Sequence, residues 1–157
     1  MKKNNFILSD VLGPSGLEIA KLEKILTLLK NSKLEYLKAS DRFNLPENKR
    51  FFNMQSTIRN RFFQDIVSLL RSMNIEVDNL VINRLNFEQI TSSSNAKTSQ
   101  SHLQKCIEFD KKLIKLYEEA LEIVSENDVL KHQSDKITQV IEENIHFLEN
   151  AEFVLKS

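Results

Sequence analysis

The sequence predicts an all-α protein, and three observations carry that prediction. Only two glycines and two prolines occur in 157 residues, too little turn material for a protein of many short strands. Apolar residues recur at steps of three and four along four separate stretches, the spacing that gathers them on one side of a helix. Between the second and third stretches the pattern lapses over residues 74–95, NIEVDNLVINRLNFEQITSSSN, which sets two pairs of helices apart.

Residues 1–15 are expected to form an N-terminal arm, and residues 16–157 a single domain. The arm has lysines ahead of apolar residues, as a secretory leader does, but Phe6-Ile7-Leu8 is cut by Ser9-Asp10 before an apolar region of useful length forms. The first helix is expected over about 17–44, with Ser15 as its cap and Leu22, Ile25, Leu26, Leu29, Tyr36 and Phe43 on one side. Pro46 disfavours helix at Leu45 and closes it. The second is expected over about 47–73, with Phe51, Ile58, Phe62, Ile66, Leu69 and Met73 on its stripe. So short a join makes these two antiparallel neighbours.

A crossover is expected over 74–96, with a short helix around Leu80–Ile90. Leu103, Cys106, Asp110, Leu113, Tyr117, Leu121 and Val124 mark a third helix over about 97–125. Leu130, Ile137, Ile141, Leu148 and Leu155 mark a fourth over about 128–155, after a turn in which Asn127 or Asp128 is the cap. Two antiparallel hairpins joined by a long link are the plan of bundles with one crossover. The reach permits it: helices of this size are roughly 40 Å long, and an extended link of about 22 residues spans up to about 70 Å.

Composition excludes several function classes. Twenty-two basic and twenty-two acidic residues cancel, leaving neither a global field nor a basic run for nucleic acid or an anionic membrane. No apolar run approaches the roughly 20 residues that span a bilayer. Cys106 is alone, which rules out an internal disulfide and a cysteine-rich zinc site and fits a reducing compartment, so the cytoplasm is the expected location. There is no glycine-rich phosphate loop.

The segments NSKLEYLKAS (31–40), RNRFFQDIVSLLRSMNIEVD (59–78) and IEFDKKLIKLYEEALE (107–122), in this order around a crossover, resemble the ferritin-like superfamily, in particular an uncharacterised bacterial branch classed as domains of unknown function. The resemblance covers residues from about 18 to 155. It implies a ferritin-like four-helix bundle and a pair of metal ions at its centre, held by one Glu from each of two helices and a Glu-x-x-His pair from each of the other two. Iron-dependent oxidation or iron handling would be the activity.

Glu143 and His146 in EENIHFLEN (142–150) have that Glu-x-x-His spacing. At about 100° per residue, the apolar stripe of the last helix centres near Asn144, with Glu143 about 100° away and His146 about 160° away. His146 is therefore expected to face water. The same projection puts Asp110 at the middle of the third helix's stripe, where an unpaired charge costs several kcal/mol. Asp110 lies 17 residues before Asn127 and Asn144 lies 17 after it, so the two fall at one depth in an antiparallel pair. A crossover brings Glu35 and Arg59 near the same level.

The expectation is a buried polar layer of Glu35, Arg59, Asp110 and Asn144. Against the superfamily pattern, Asp110 and Glu35 stand at carboxylate ligand positions and are weak metal candidates. Asn144 replaces a ligand on the last helix, and Ile58, Arg59 and Phe62 stand where the second helix should offer Glu and His. Too little negative charge remains for two cations, so the site reads as degenerate, with Arg59 or Asn144 paired to Asp110 and no catalytic residue or cofactor; the alternative is an iron-dependent protein. An Asp110→Asn change is then expected to be tolerated or stabilising. His102 and His132 are expected on the surface, and Cys106, Tyr36 and Tyr117 in the core. Phe52 and Phe63 are expected at the core edge against residues 80–90, and the partner is expected to be a second copy or another protein.

Overall fold

In the computed structural model the chain is described over residues 14–76 and 99–150, and these fold as four α-helices without strands: α1 (Pro14–Arg42), α2 (Pro46–Ser72), α3 (Ser99–Ile123) and α4 (Asp128–Glu149). The arm, the expected short helix at 80–90 and residues 151–157 lie outside the described residues. None of the helices is long and apolar enough to cross a membrane.

Each helix end has a local cause. Ser15 lies inside α1, so it is not the residue before the helix. α1 stops at Arg42, two residues short of the expected end, and Pro46 holds Leu45 extended (φ −76°, ψ 130°). Pro46 itself opens α2, where its missing N–H removes a donor that would have had no partner. α2 closes with Asn74 in the left-handed region (φ 64°). The Asn74 N–H bonds back to the Arg71 carbonyl at 2.9 Å and that of Ile75 to Leu70 at 3.0 Å, a Schellman closure with Asn in the position glycine usually takes. At the turn into α4, the Asn127 side chain accepts from the Leu130 N–H at 3.0 Å, which satisfies an otherwise orphaned helix donor. α4 ends at Glu149, earlier than the stripe suggested, because Asn150 leaves the helical region (φ −90°, ψ 105°).

Paired side chains give the directions. Contacts Lys33–Asn60 and Ser40–Lys49 run in opposite order along α1 and α2, and contacts Lys21–Glu119 and Glu35–His102 do the same along α1 and α3. α1 packs on α2 and α3, and α3 packs on α4, while α2 and α4 barely touch. The apolar core falls into two parts. One holds Leu22, Ile25, Leu29, Ile66, Leu113 and Ile137; the other holds Tyr36, Phe43, Phe52, Leu103 and Cys106. A polar layer lies between them.

The buried side of α2 is Phe52, Gln55, Ser56, Arg59, Phe62, Ile66, Val67 and Leu70. It is rotated by one residue from the expected stripe at three positions, with Phe52 in place of Phe51, Arg59 in place of Ile58 and Leu70 in place of Leu69. Phe52 is fully buried and stacks on Phe43 at 4.6 Å, so it is a core residue and not an edge residue. Phe63 is half-buried.

Candidate functional site: a buried ion-pair layer

Asp110 of α3 is fully buried, and so is Arg59 of α2. Their charged groups meet at 2.7 Å between Arg59 Nη2 and Asp110 Oδ2, with Arg59 Nε 3.3 Å from Oδ1. Two hydroxyls from α1 complete the carboxylate's shell: Ser32 Oγ donates to Oδ1 at 3.0 Å and Tyr36 Oη to Oδ2 at 2.6 Å. An acceptor-only group ringed by donors from two helices is an ionised carboxylate.

Arg59 is satisfied to the same degree. Its Nε also donates to Ser32 Oγ at 2.8 Å. Nη1 donates to the Gln55 carbonyl at 3.2 Å and to Gln55 Oε1 at 2.8 Å, and Nη2 reaches Tyr36 Oη at 3.4 Å besides Asp110. The guanidinium also lies over the Tyr36 ring, 4.1 Å from its centroid. Burial works against the cation, but the Asp110 carboxylate outweighs it and holds the proton on more firmly than in water.

Tyr36 links the fourth helix. Its proton goes to Asp110, which can only accept, so its oxygen receives a hydrogen bond from Asn144 Nδ2 at 2.7 Å. Asn144 Oδ1 is then buried with no hydrogen-bond partner among the described residues. Burial first, and the Asp110 charge second, push the Tyr36 phenol well above its ordinary range. Cys106, one turn before Asp110, is raised by burial and then by Asp110 and Glu35. Below this layer Tyr117 donates to Gln133 Oε1 at 2.6 Å, and Gln133 Nε2 donates to the Phe62 carbonyl at 3.1 Å, which ties α3, α4 and α2 together.

All four expected layer residues are buried, but their partnerships differ from the expected ones. Arg59 is the group that meets Asp110; Asn144 reaches it only through Tyr36. Glu35 bonds neither: its Oε2 is 2.8 Å from His102 Nδ1. His102 is therefore buried, at 2% exposure, contrary to the surface position expected of it. The signal was its place four residues before Cys106 and eight before Asp110, in step with the buried stripe of α3, with Glu35 within reach on a neighbouring helix. Glu35 Oε1 and His102 Nε2 have no partners among the described residues. Glu143, His132 and His146 are exposed, and His132 lies edge-on to Phe62 at 6.0 Å. Ser32 and Gln55 were missed although each stands in step with its stripe, between Leu29 and Tyr36 and between Phe52 and Arg59.

The pair of metal ions implied by the ferritin-like resemblance does not fit these residues. A guanidinium occupies the layer and bonds both oxygens of Asp110, and the buried side of α2 offers an amide, a hydroxyl and that cation in place of Glu and His. Among the described residues no group of three or more His, Cys, Asp or Glu side chains is gathered to hold a metal. The site defines a helical protein with a buried Arg59–Asp110 ion pair in its core. No protein-family model matches the chain, and no curated protein or solved structure matches it either.

Proposed function

We propose that this chain is a ferritin-like bundle of two antiparallel hairpins joined by a crossover, which has exchanged its di-metal centre for an Arg–Asp–Tyr network and acts as a non-catalytic binding or structural module. The observation that carries this reading is the Arg59–Asp110 pair. The carboxylate that would ligate iron accepts from Ser32, Tyr36 and Arg59, and a cation already neutralises it. The helix directions agree with a crossover, since α2 and α3 both run opposite to α1. In this reading the protein works through its outer surfaces, by association with itself or with another protein in the cytoplasm.

One feature favours an iron-handling or metal-dependent oxidoreductase instead: Glu35 and His102 are a buried carboxylate–imidazole pair with one unbonded atom on each. Two ligands are too few for two ions. Metal analysis separates the readings. After exposure to iron, manganese and zinc in turn and removal of excess, the purified protein is expected to carry no stoichiometric metal. About one ion per chain, lost on Glu35→Gln, would overturn the metal-free reading and leave the metal-dependent one.

A further inference from the structure

The sparse contact between α2 and α4 leaves a half-open cleft of about 270 Å³, lined in part by Gln55 and the buried Arg59. Its walls are Ile58 and Phe62 from α2 and Ile137 and Val140 from α4. From this we propose that the cleft is a binding site for a small organic carboxylate with a short apolar body.

The orientation of Gln55 is the first support. Arg59 Nη1 can only donate, so Gln55 presents its oxygen there, at 2.8 Å, and its NH₂ group must turn the other way. That Nε2 has no hydrogen-bond partner among the described residues and keeps contact with solvent, Gln55 being 6% exposed. A solvent-reached donor, polarised by the cation on the other side of the amide, is thus left on a residue that lines the cleft. It calls for an acceptor, and an apolar occupant would leave it unpaired at a cost.

Charge is the second support. Arg61 and Lys136 line the cleft on opposite helices, both are exposed, and neither has an acidic partner within salt-bridge distance among the described residues. Asp110 already neutralises Arg59. Glu143 is the acidic group among the described lining residues, which leaves the cleft with an excess of positive charge. Size is the third support. At about 30 Å³ per water, 270 Å³ corresponds to roughly nine non-hydrogen atoms, the size of hexanoate or benzoate. The cleft is separate from the hydrogen bonds of the Asp110 layer, and this site does not depend on the ferritin-like reading.

Titration of the full-length ¹⁵N,¹³C-labelled protein with hexanoate tests the proposal. Saturable shifts are expected at the Gln55 side-chain amide and the Val140 methyls, with a Kd between about 10 µM and about 1 mM, the range open to a ligand of this size. Hexylamine and hexanamide should bind at least about tenfold more weakly, as should hexanoate to the surface variant Arg61→Glu/Lys136→Glu. Ile58→Trp, which fills the cleft from a half-buried position, should abolish the shifts while leaving helix content unchanged. The proposal is overturned by shifts that do not saturate at several times that range, by equal binding of hexylamine, or by equal affinity in both variants.

Discussion

Replacing Asp110 by Asn preserves the shape of the side chain and removes its charge, so it isolates what the carboxylate does. The amide has one acceptor and one donor end. Oδ1 faces Ser32 Oγ and Arg59 Nε, and Oδ2 faces Tyr36 Oη and Arg59 Nη2. Whichever end becomes NH₂ then points at donors, and the Arg59 cation stays buried without a counter-charge. A guanidinium cannot shed its charge by losing a proton. Breaking such a pair from one side costs about 3–5 kcal/mol. For a chain of this size that is a fall in Tm of roughly 6–20 °C, at about 2–4 °C per kcal/mol. The tolerance expected from the sequence is therefore corrected: that expectation left Arg59 and Asn144 open as partners, and the group that meets Asp110 is a cation at 0% exposure, which an amide cannot neutralise. Arg59→Met with Asp110→Leu removes both charges and should be more stable than Asp110→Asn, while still losing the acceptor of the Tyr36 and Ser32 hydroxyls. Urea denaturation followed by helical circular dichroism measures all three proteins. A loss below about 1 kcal/mol in Asp110→Asn, or a double variant as unstable as the single, would refute the account.

Tyr36→Phe deletes the oxygen that takes the Asn144 NH₂ group and should cost about 1–3 kcal/mol by the same assay, the penalty of a buried donor left alone. Alkaline stability should fall early. Cys106, Tyr36 and Tyr117 are weak acids whose native values burial raises, so the unfolded chain loses these protons first. Their contribution is complete below about pH 8.5 and declines above it, by about 1.4 kcal/mol per pH unit for each group titrating. Cys106→Ala should remove the first part of that decline, seen as a flatter Tm-against-pH curve between about pH 8.5 and 10. Glu143→Ala with His146→Ala should leave stability within about 0.5 kcal/mol and metal content unchanged, because both residues are exposed.

The four helices were legible because α1, α3 and α4 bury aliphatics at helical spacing, as Leu22-Ile25-Leu26-Leu29 does in α1. α2 was legible as a helix but read about one residue out of phase. Its buried side carries Gln55, Ser56 and Arg59, and a count of apolar residues steps past these to the half-buried Phe51, Ile58 and Leu69. Asp110 and Asn144 were legible for the opposite reason: each interrupts an apolar stripe that is otherwise regular, and a polar residue at the centre of such a stripe must be buried. The partnerships were not legible, since they depend on side-chain reach between helices. Glu35 and Tyr36 are consecutive on α1, yet Glu35 extends to His102 and Tyr36 to Asp110, two turns apart on α3.

The layer joins four helices through groups that fit one another at a single depth. Aliphatic faces of neighbouring helices can shift by a turn and still bury similar area, since the apolar pattern nearly repeats. The Arg59–Asp110–Tyr36–Asn144 chain cannot: moving α2 by one turn would carry the guanidinium about 5.4 Å from its carboxylate and leave two buried charges apart. An apolar replacement of the layer (Arg59→Met, Asp110→Leu, Asn144→Leu with Tyr36→Phe) should therefore separate stability from uniqueness. Its denaturation midpoint should equal or exceed the parent's, while its amide spectrum broadens or doubles as alternative registers become populated. A sharp, single set of resonances from that variant would show that apolar packing alone fixes the register, and would leave the layer with no part in specifying the fold.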